Sequence, residues 1–220
     1  ETIRALQTEE ELDEYTYSVA GCVGEFWTRI CRRHLYPRAE INEEKLFENA
    51  VHFGKGLQLV NILRDLPADL KNGRCYLPEE SLRKLGLSVE ALQDPDSYPF
   101  LRSYYKWYLA KALFYLQDGA QYLEDTPGRW RTWLMRLGCA WPILIGAKTL
   151  KLLGETNPLD PTRKVKVSRK EVKSILFSTI LRGVIPGGWK DLFEQTFKEA
   201  NRSVVSHNRT VLTPNPPSEA

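Results

Sequence analysis

The chain has 220 residues, 42% of them hydrophobic and 27% charged, enough for a globular fold with one large core or two small ones. Its net charge of +3 is too small to argue for nucleic acid as a partner. The longest uncharged apolar run, Leu137 to Ala147, falls well short of the ~20 residues of a membrane span, and the polar, acidic stretch from Glu1 to Glu14 is unlike a signal peptide.

Thr8-Glu9-Glu10-Glu11 has the form of a capping box and predicts a helix that Tyr36-Pro37-Arg38 ends. Its apolar stripe is Tyr15, Val19, Val23, Phe26 and Ile30, and Gly21 and Gly24 lie inside it at a cost of ~1 kcal/mol each relative to alanine. Such glycines permit close approach of another helix or of a ligand. A second helix follows from about Asn42, with Leu46, Ala50, Phe53, Leu57 and Val60 as its apolar positions. Asn61, Asp65 and Asp69 are spaced four apart along it, so all three face one way over about 12 Å.

Two stacked carboxylates repel and weaken a helix, and a hard divalent cation reverses that cost. Arg64 and Arg74 flank the acids and could grip phosphate oxygens in bidentate fashion. The simplest chemistry to fit is Mg²⁺-assisted handling of a diphosphate. The plainer reading is a solvated acidic face. Against it stands Pro67, a helix-interior proline costing ~3 kcal/mol, which makes sense if the second acid must be re-aimed.

Asn72-Gly73 predicts a turn, and Gly86 ends a short helical piece after Tyr76-Leu77-Pro78. Ser88 can cap another, which Asp94-Pro95-Asp96 breaks. Helices are expected from about Phe100 to Leu123, with a Tyr104/Tyr108/Ala112/Tyr115 stripe that reads as core, and from Trp130 to Leu153 with a kink at Pro142. Ser168 with Glu171 forms another capping box before a helix expected to bury Val172, Ile175, Leu176 and Ile180. A last amphipathic piece ends near Val205, and residues 206–220, rich in proline, form an expected disordered tail. Strand-like alternation persists nowhere, so the expected fold is all-α.

Cys22, Cys31, Cys75 and Cys139 include no Cys-x-x-Cys pair and read as free thiols of a reducing compartment, hence a cytoplasmic protein. Arg163, Lys164, Lys166, Arg169, Lys170 and Lys173 are opposed locally by Glu171 alone. They read either as a solvated basic face or as a contact with an anionic membrane surface or an entering diphosphate.

Two blocks resemble the squalene/phytoene synthase family, which joins two prenyl diphosphates head to head. Tyr15-Thr16-Tyr17-Ser18-Val19-Ala20-Gly21-Cys22-Val23-Gly24 is similar to the family's Tyr-x-x-x-Val-Ala-Gly-x-Val-Gly helix. Leu57 through Asp69, with Gly73-Arg74-Cys75-Tyr76-Leu77-Pro78, is similar to its second aspartate-rich motif and trailing loop. The resemblance implies an isoprenoid-synthase-type helical bundle around a central cavity, with residues 1–205 forming the C-terminal part of the domain. It implies Asp65 and Asp69 as metal-binding acids assisted by Asn61, and Arg64 and Arg74 as diphosphate contacts. It also implies Tyr15 and Tyr76 beside the carbocation, and Gln58, Val19 and Val23 lining the prenyl channel. The reaction implied runs through a cyclopropylcarbinyl diphosphate made from farnesyl or geranylgeranyl diphosphate, with Mg²⁺ and, in some members, NADPH.

The family's first aspartate-rich motif lies many tens of residues before the Tyr15 block, where this chain has fourteen. Glu9 and Asp13 share a helix with Tyr15 and cannot replace it. Half the metal site is therefore expected from N-terminal helices of a longer chain or from a partner. The competing readings are a non-catalytic relative that binds lipid or assists assembly, and a class I terpene cyclase, against which the Val-Ala-Gly-x-Val-Gly block argues.

Overall fold

In a computed structural model the described residues are 3–128, 130–183, 185 and 187–205. The expected tail, 206–220, lies outside them. The helices are α1 (Glu9–Thr16), α2 (Cys22–His34), α3 (Glu43–Lys71), α4 (Glu79–Lys84), α5 (Tyr98–Asp125), α6 (Trp133–Gly154), α7 (Arg169–Gly183) and α8 (Gly188–Val205). The expected all-α architecture is what forms. One two-residue parallel pairing joins β1 (Arg4–Ala5) to β2 (Arg74–Cys75), too short for any alternation to show in sequence. Arg4 N donates to Gly73 O at 2.9 Å and Leu6 N to Cys75 O at 3.2 Å, so the N-terminal strand ties down the loop that carries Arg74 and Tyr76.

The caps act locally as their chemistry requires. Thr8 Oγ1 accepts from Glu11 N at 3.3 Å, while the Glu11 carboxylate accepts from Gln7 N at 2.6 Å, one residue earlier than a reciprocal box would place it. Asn42 caps α3 by accepting from Lys45 N at 3.1 Å. Ser168 and Glu171 form the full reciprocal box, at 3.2 and 3.1 Å. Gly73 (φ 72°) makes the left-handed turn that ends the long helix before β2.

Helix α3 is the axis of the molecule. It buries residues right around its circumference, from Leu46 and Ala50 to Leu63, Leu66 and Leu70, because α2, α5 and α6 all pack on it. It runs unbroken through Pro67, which has no N–H to give Leu63 O four residues back. The fully buried Tyr105 of α5 supplies the donor instead, its hydroxyl 2.9 Å from Leu63 O. Helix α6, with the 3₁₀ turn before it, is long and apolar enough to cross a membrane, but 56% of its most apolar window is buried between neighbouring helices. That makes it a core helix.

One apolar stripe lies outside the core, and one expectation about a buried face needs correction. The stripe of Val19, Val23, Phe26 and Ile30 is not core. All four are exposed, Val23 at 56% and Phe26 at 63%. The buried side of this segment is instead Leu12, Thr16, Gly21, Thr28 and Cys31. Glycine is the reason. A Cβ on Gly24 would lie 2.1 Å from Ala50 O, and one on Gly54 2.2 Å from Ala20 O, so the two helices touch backbone to backbone through their smallest residues. Ile180, expected buried, is 49% exposed, while Ile175 and Thr179 turn inward.

Candidate active site

The first helix does not run straight into α2. Residues Tyr17–Gly21 form a turn of π-helix, an extra-residue bulge of the kind often found at functional sites. The bulge sits where the Gly24–Ala50 and Ala20–Gly54 contacts press the chain against α3. Those contacts pair rising with falling residue numbers, so the helices are antiparallel. The same register carries Tyr15 to the level of Gln58.

There the two sequence blocks meet. The rings of Tyr15 and Tyr76 stack, centroids 4.9 Å apart and planes 26° apart. The Tyr15 hydroxyl interacts with Tyr76 and with the Gln58 side chain, and it lies within the field of Asp69. Burial first, and then the Tyr76 hydroxyl, push its pKa up to about 12, with Gln58 opposing. The phenol therefore stays protonated at neutral pH.

Asp69, half-buried, is held above the usual carboxylate range, by burial first and then by the charge of Asp65; Arg74 pulls the other way. The two acids therefore feel each other's charge. Asp65 is likewise half-buried, its side chain 46% exposed. Arg64 does not reach outward as a free phosphate grip. Its Nε and Nη2 donate to Asp65 at 2.8 and 2.6 Å, a bidentate pair between sequence neighbours that raises the guanidinium pKa. Asn61 is exposed on the same face of α3.

Tyr15, Tyr76, Gln58, Asp65, Asp69 and Arg74 are thus one neighbourhood. Val19 and Val23 continue it as an exposed apolar surface rather than as the wall of a closed channel. Among the described residues no cluster of three or more histidine, cysteine or acidic side chains could hold a metal by itself. Two carboxylates and an amide oxygen are nevertheless a hard-oxygen set of the kind Mg²⁺ takes when phosphate and water complete its shell.

A second polar cluster was not legible in the sequence. The Glu9 carboxylate accepts from the hydroxyls of Tyr104 (2.6 Å) and Tyr108 (2.6 Å) and from Ser81 (2.9 Å). Asp13 pairs with the buried Lys55. These acids, with Glu10, Glu14, Tyr17 and Lys111, line an open depression that excludes Asp65, Asp69 and Tyr76. Glu9 and Asp13 are therefore committed to binding α1 to α3 and α5. The thiols are free as expected; Cys31, Cys75 and Cys139 are buried and Cys22 is half-buried.

Comparison with known proteins agrees with this geometry. The family profile "Squalene/phytoene synthase" matches residues 2–171. The chain is 43% identical over 88 residues to a phytoene synthase of Thermus thermophilus, covering 40% of this chain and 27% of that protein. It is 29% identical over 151 residues to the 15-cis-phytoene synthase of a Paracoccus species, covering 69% and 43% respectively. With the chloroplastic phytoene synthase of Daucus carota it shares 30% identity over 129 residues, 58% of this chain and 32% of that one. The match therefore spans less than half the length of each relative. Among solved structures, TcSQS, a squalene synthase in complex with the ligand BPH1237, superposes with a TM-score of 0.69 at 22% identity, over 93% of this chain and 64% of that one, which establishes the fold. With its helical bundle and both blocks in one neighbourhood, the chain belongs to the squalene/phytoene synthase family.

Proposed function

We propose that the chain supplies one half of the active site of a prenyltransferase that condenses two prenyl diphosphates head to head, of the phytoene synthase type. The observation that carries this reading is the meeting of Tyr15, Tyr76 and Gln58 with Asp69 at the end of the Asp65/Asp69 face. An aromatic, apolar wall beside the two acids supports a metal-bound diphosphate as the ligand.

Asn61, Asp65 and Asp69 would hold Mg²⁺, which supplies Lewis-acid stabilisation of the departing diphosphate. Arg64 exchanges Asp65 for phosphate oxygens, and Arg74 adds a second positive charge at the same end. Tyr15 stays a neutral phenol, so its ring face stabilises an allylic cation without a phenolate oxygen to capture it. Stacking on Tyr76 fixes the plane of that ring. Val19, Val23 and Phe26 give the prenyl tail an apolar surface. The remaining wall and the first aspartate-rich motif would come from N-terminal helices of a longer chain or from a partner, and the coupled product would pass through a cyclopropylcarbinyl diphosphate.

Incubation with geranylgeranyl or farnesyl diphosphate and Mg²⁺ tests this, for the 220-residue chain and for one extended upstream. Pyrophosphate release confined to the extended form supports the half-site reading. Mg²⁺-dependent diphosphate binding by the 220-residue chain should be lost in Asp65→Ala. Substrate binding that ignores both Mg²⁺ and this substitution, with no pyrophosphate release from either form, would favour the non-catalytic lipid-binding relative.

A further inference from the structure

Helix α7 takes no part in the site above, yet its outer face has an unusual composition. At about 100° per residue, Lys170, Lys173, Phe177, Ile180 and Leu181 fall within about 100° of arc. All five are exposed, Phe177 at 69%, while Ile175 and Thr179 anchor the opposite side. The exposed row is basic in its first turns and apolar in its last.

The apolar part extends beyond α7. The Trp133 ring packs against Gly183, which brings the start of α6 beside the end of α7. Trp130 and Leu134 there are 87% and 79% exposed, and Ile185, just past the end of α7, is exposed as well. Aromatic and aliphatic side chains this open, grouped at one end of the molecule, mark an interaction surface.

Charge identifies what it meets. Between 163 and 182 seven basic residues stand against one acid, Glu171, so this window alone carries six net positive charges, twice the +3 of the whole chain. Glu171 is turned back onto Ser168 in the capping box, at 2.7 Å from its hydroxyl. Among the described residues, the one salt bridge formed by these seven is that of Arg163 with Asp160, at 3.6 Å. A second copy docking through the same face would set like charges against like. An anionic bilayer instead satisfies both halves at once, with aromatic and aliphatic residues at the headgroup–acyl boundary and long lysines reaching to phosphates.

We propose that the outer face of α7, with Trp130 and Leu134, is a docking surface for a bilayer carrying anionic lipids, on which the helix lies in the interface plane. No residue of the Asp65/Asp69 site takes part, so the proposal stands or falls separately from the enzymatic reading.

Co-sedimentation with vesicles tests it, comparing pure phosphatidylcholine with phosphatidylcholine containing phosphatidylserine. The full chain should bind the anionic vesicles, bind the neutral ones far less, and be released by salt. The Lys170→Glu/Lys173→Glu and Phe177→Glu/Leu181→Glu variants should each bind at least about tenfold more weakly, with unchanged far-ultraviolet circular dichroism. Brominated acyl chains should quench tryptophan fluorescence in the wild type, and much less in Trp130→Phe. Equal binding to neutral and anionic vesicles would overturn the proposal. So would no vesicle binding at all, which would leave a protein as the occupant. Binding that survives Phe177→Glu/Leu181→Glu without any bromine quenching would reduce the contact to adsorption of a basic surface and overturn it too.

Discussion

The hydrogen bond from Tyr105 to Leu63 makes the motif helix unusually open to a decisive test. Pro67 removes the N–H that Leu63 O would accept within α3, and both Leu63 and Tyr105 are fully buried, so the phenol is the donor that carbonyl has. Tyr105→Phe keeps the ring and deletes the donor. A buried acceptor left unsatisfied costs about 1–3 kcal/mol. For a domain of this size each kcal/mol lowers Tm by about 2–4 °C, so a fall of roughly 2–12 °C is expected.

The sharper expectation concerns the pair. Pro67→Ala restores a backbone donor to Leu63 O, and in that background the hydroxyl is no longer needed. Tyr105→Phe should then cost about 1 kcal/mol less than in the wild type, read as the coupling energy of a double-mutant cycle in urea unfolding. Additive effects, within about 0.5 kcal/mol, would refute the reasoning. The cycle matters for function because Leu63 lies between Asn61 and Asp65. A loosened carbonyl there changes the pitch at which the acids are presented.

The glycines make an opposed pair: Gly24→Ala drives a Cβ into Ala50 O and should destabilise by about 1–3 kcal/mol or more, whereas Gly138→Ala on the exposed side of α6 meets nothing within 4 Å and should stabilise by up to about 1 kcal/mol. Thermal melts decide both, and a stabilised Gly24→Ala would contradict the backbone-to-backbone contact. Asp69 has a folded-state pKa above its unfolded value, so it binds its proton more tightly when folded. Its charged form therefore weakens the fold above that pKa, and the penalty fades as pH falls through it. Asp69→Asn should raise Tm at pH 7, with the gain vanishing below the ordinary aspartate range, while Mg²⁺-dependent diphosphate binding is lost; a lowered Tm at pH 7 counts against this. Burial pushes the thiols of Cys75 and Cys139 up to about 12 and that of Cys31 to about 11. Mass spectrometry after brief native alkylation at neutral pH should find Cys22 modified first, and rapid labelling of Cys75 would contradict its burial.

What could be read in the sequence was whatever depends on a short window. Caps at Thr8 and Ser168, the turn at Gly73 and the order of helices are local chemistry, and each left a local signature. Contacts between distant segments left none. Glu9 with Tyr104 and Tyr108, and His52 with Asp118 at 2.6 Å, join residues more than sixty positions apart. The Arg64–Asp65 pair was missed for a different reason. Arg64 was expected to contact a diphosphate and Asp65 a metal ion, whereas the guanidinium here pairs with the adjoining carboxylate. The two blocks could be read as parts of one site only through the family resemblance, since spacing alone cannot reveal that Tyr15 stacks on Tyr76 sixty-one residues on.

The exposed stripe from Val19 to Ile30 connects packing to function most directly. An apolar row at helical spacing is normally the buried one. Here Gly24 and Gly54 bring two backbones into contact, and that closeness makes the glycine–threonine–cysteine side the core. Any larger residue at either position would push the helices apart and move Tyr15 away from Gln58. The same contact leaves Val19, Val23 and Phe26 outward, continuous with the ring of Tyr15. An exposed row of that size costs solubility and contributes nothing to packing among the described helices. Under the proposed function this row would carry the prenyl tail, with the diphosphate head held at Asp65 and Asp69 through Mg²⁺ and by Arg74.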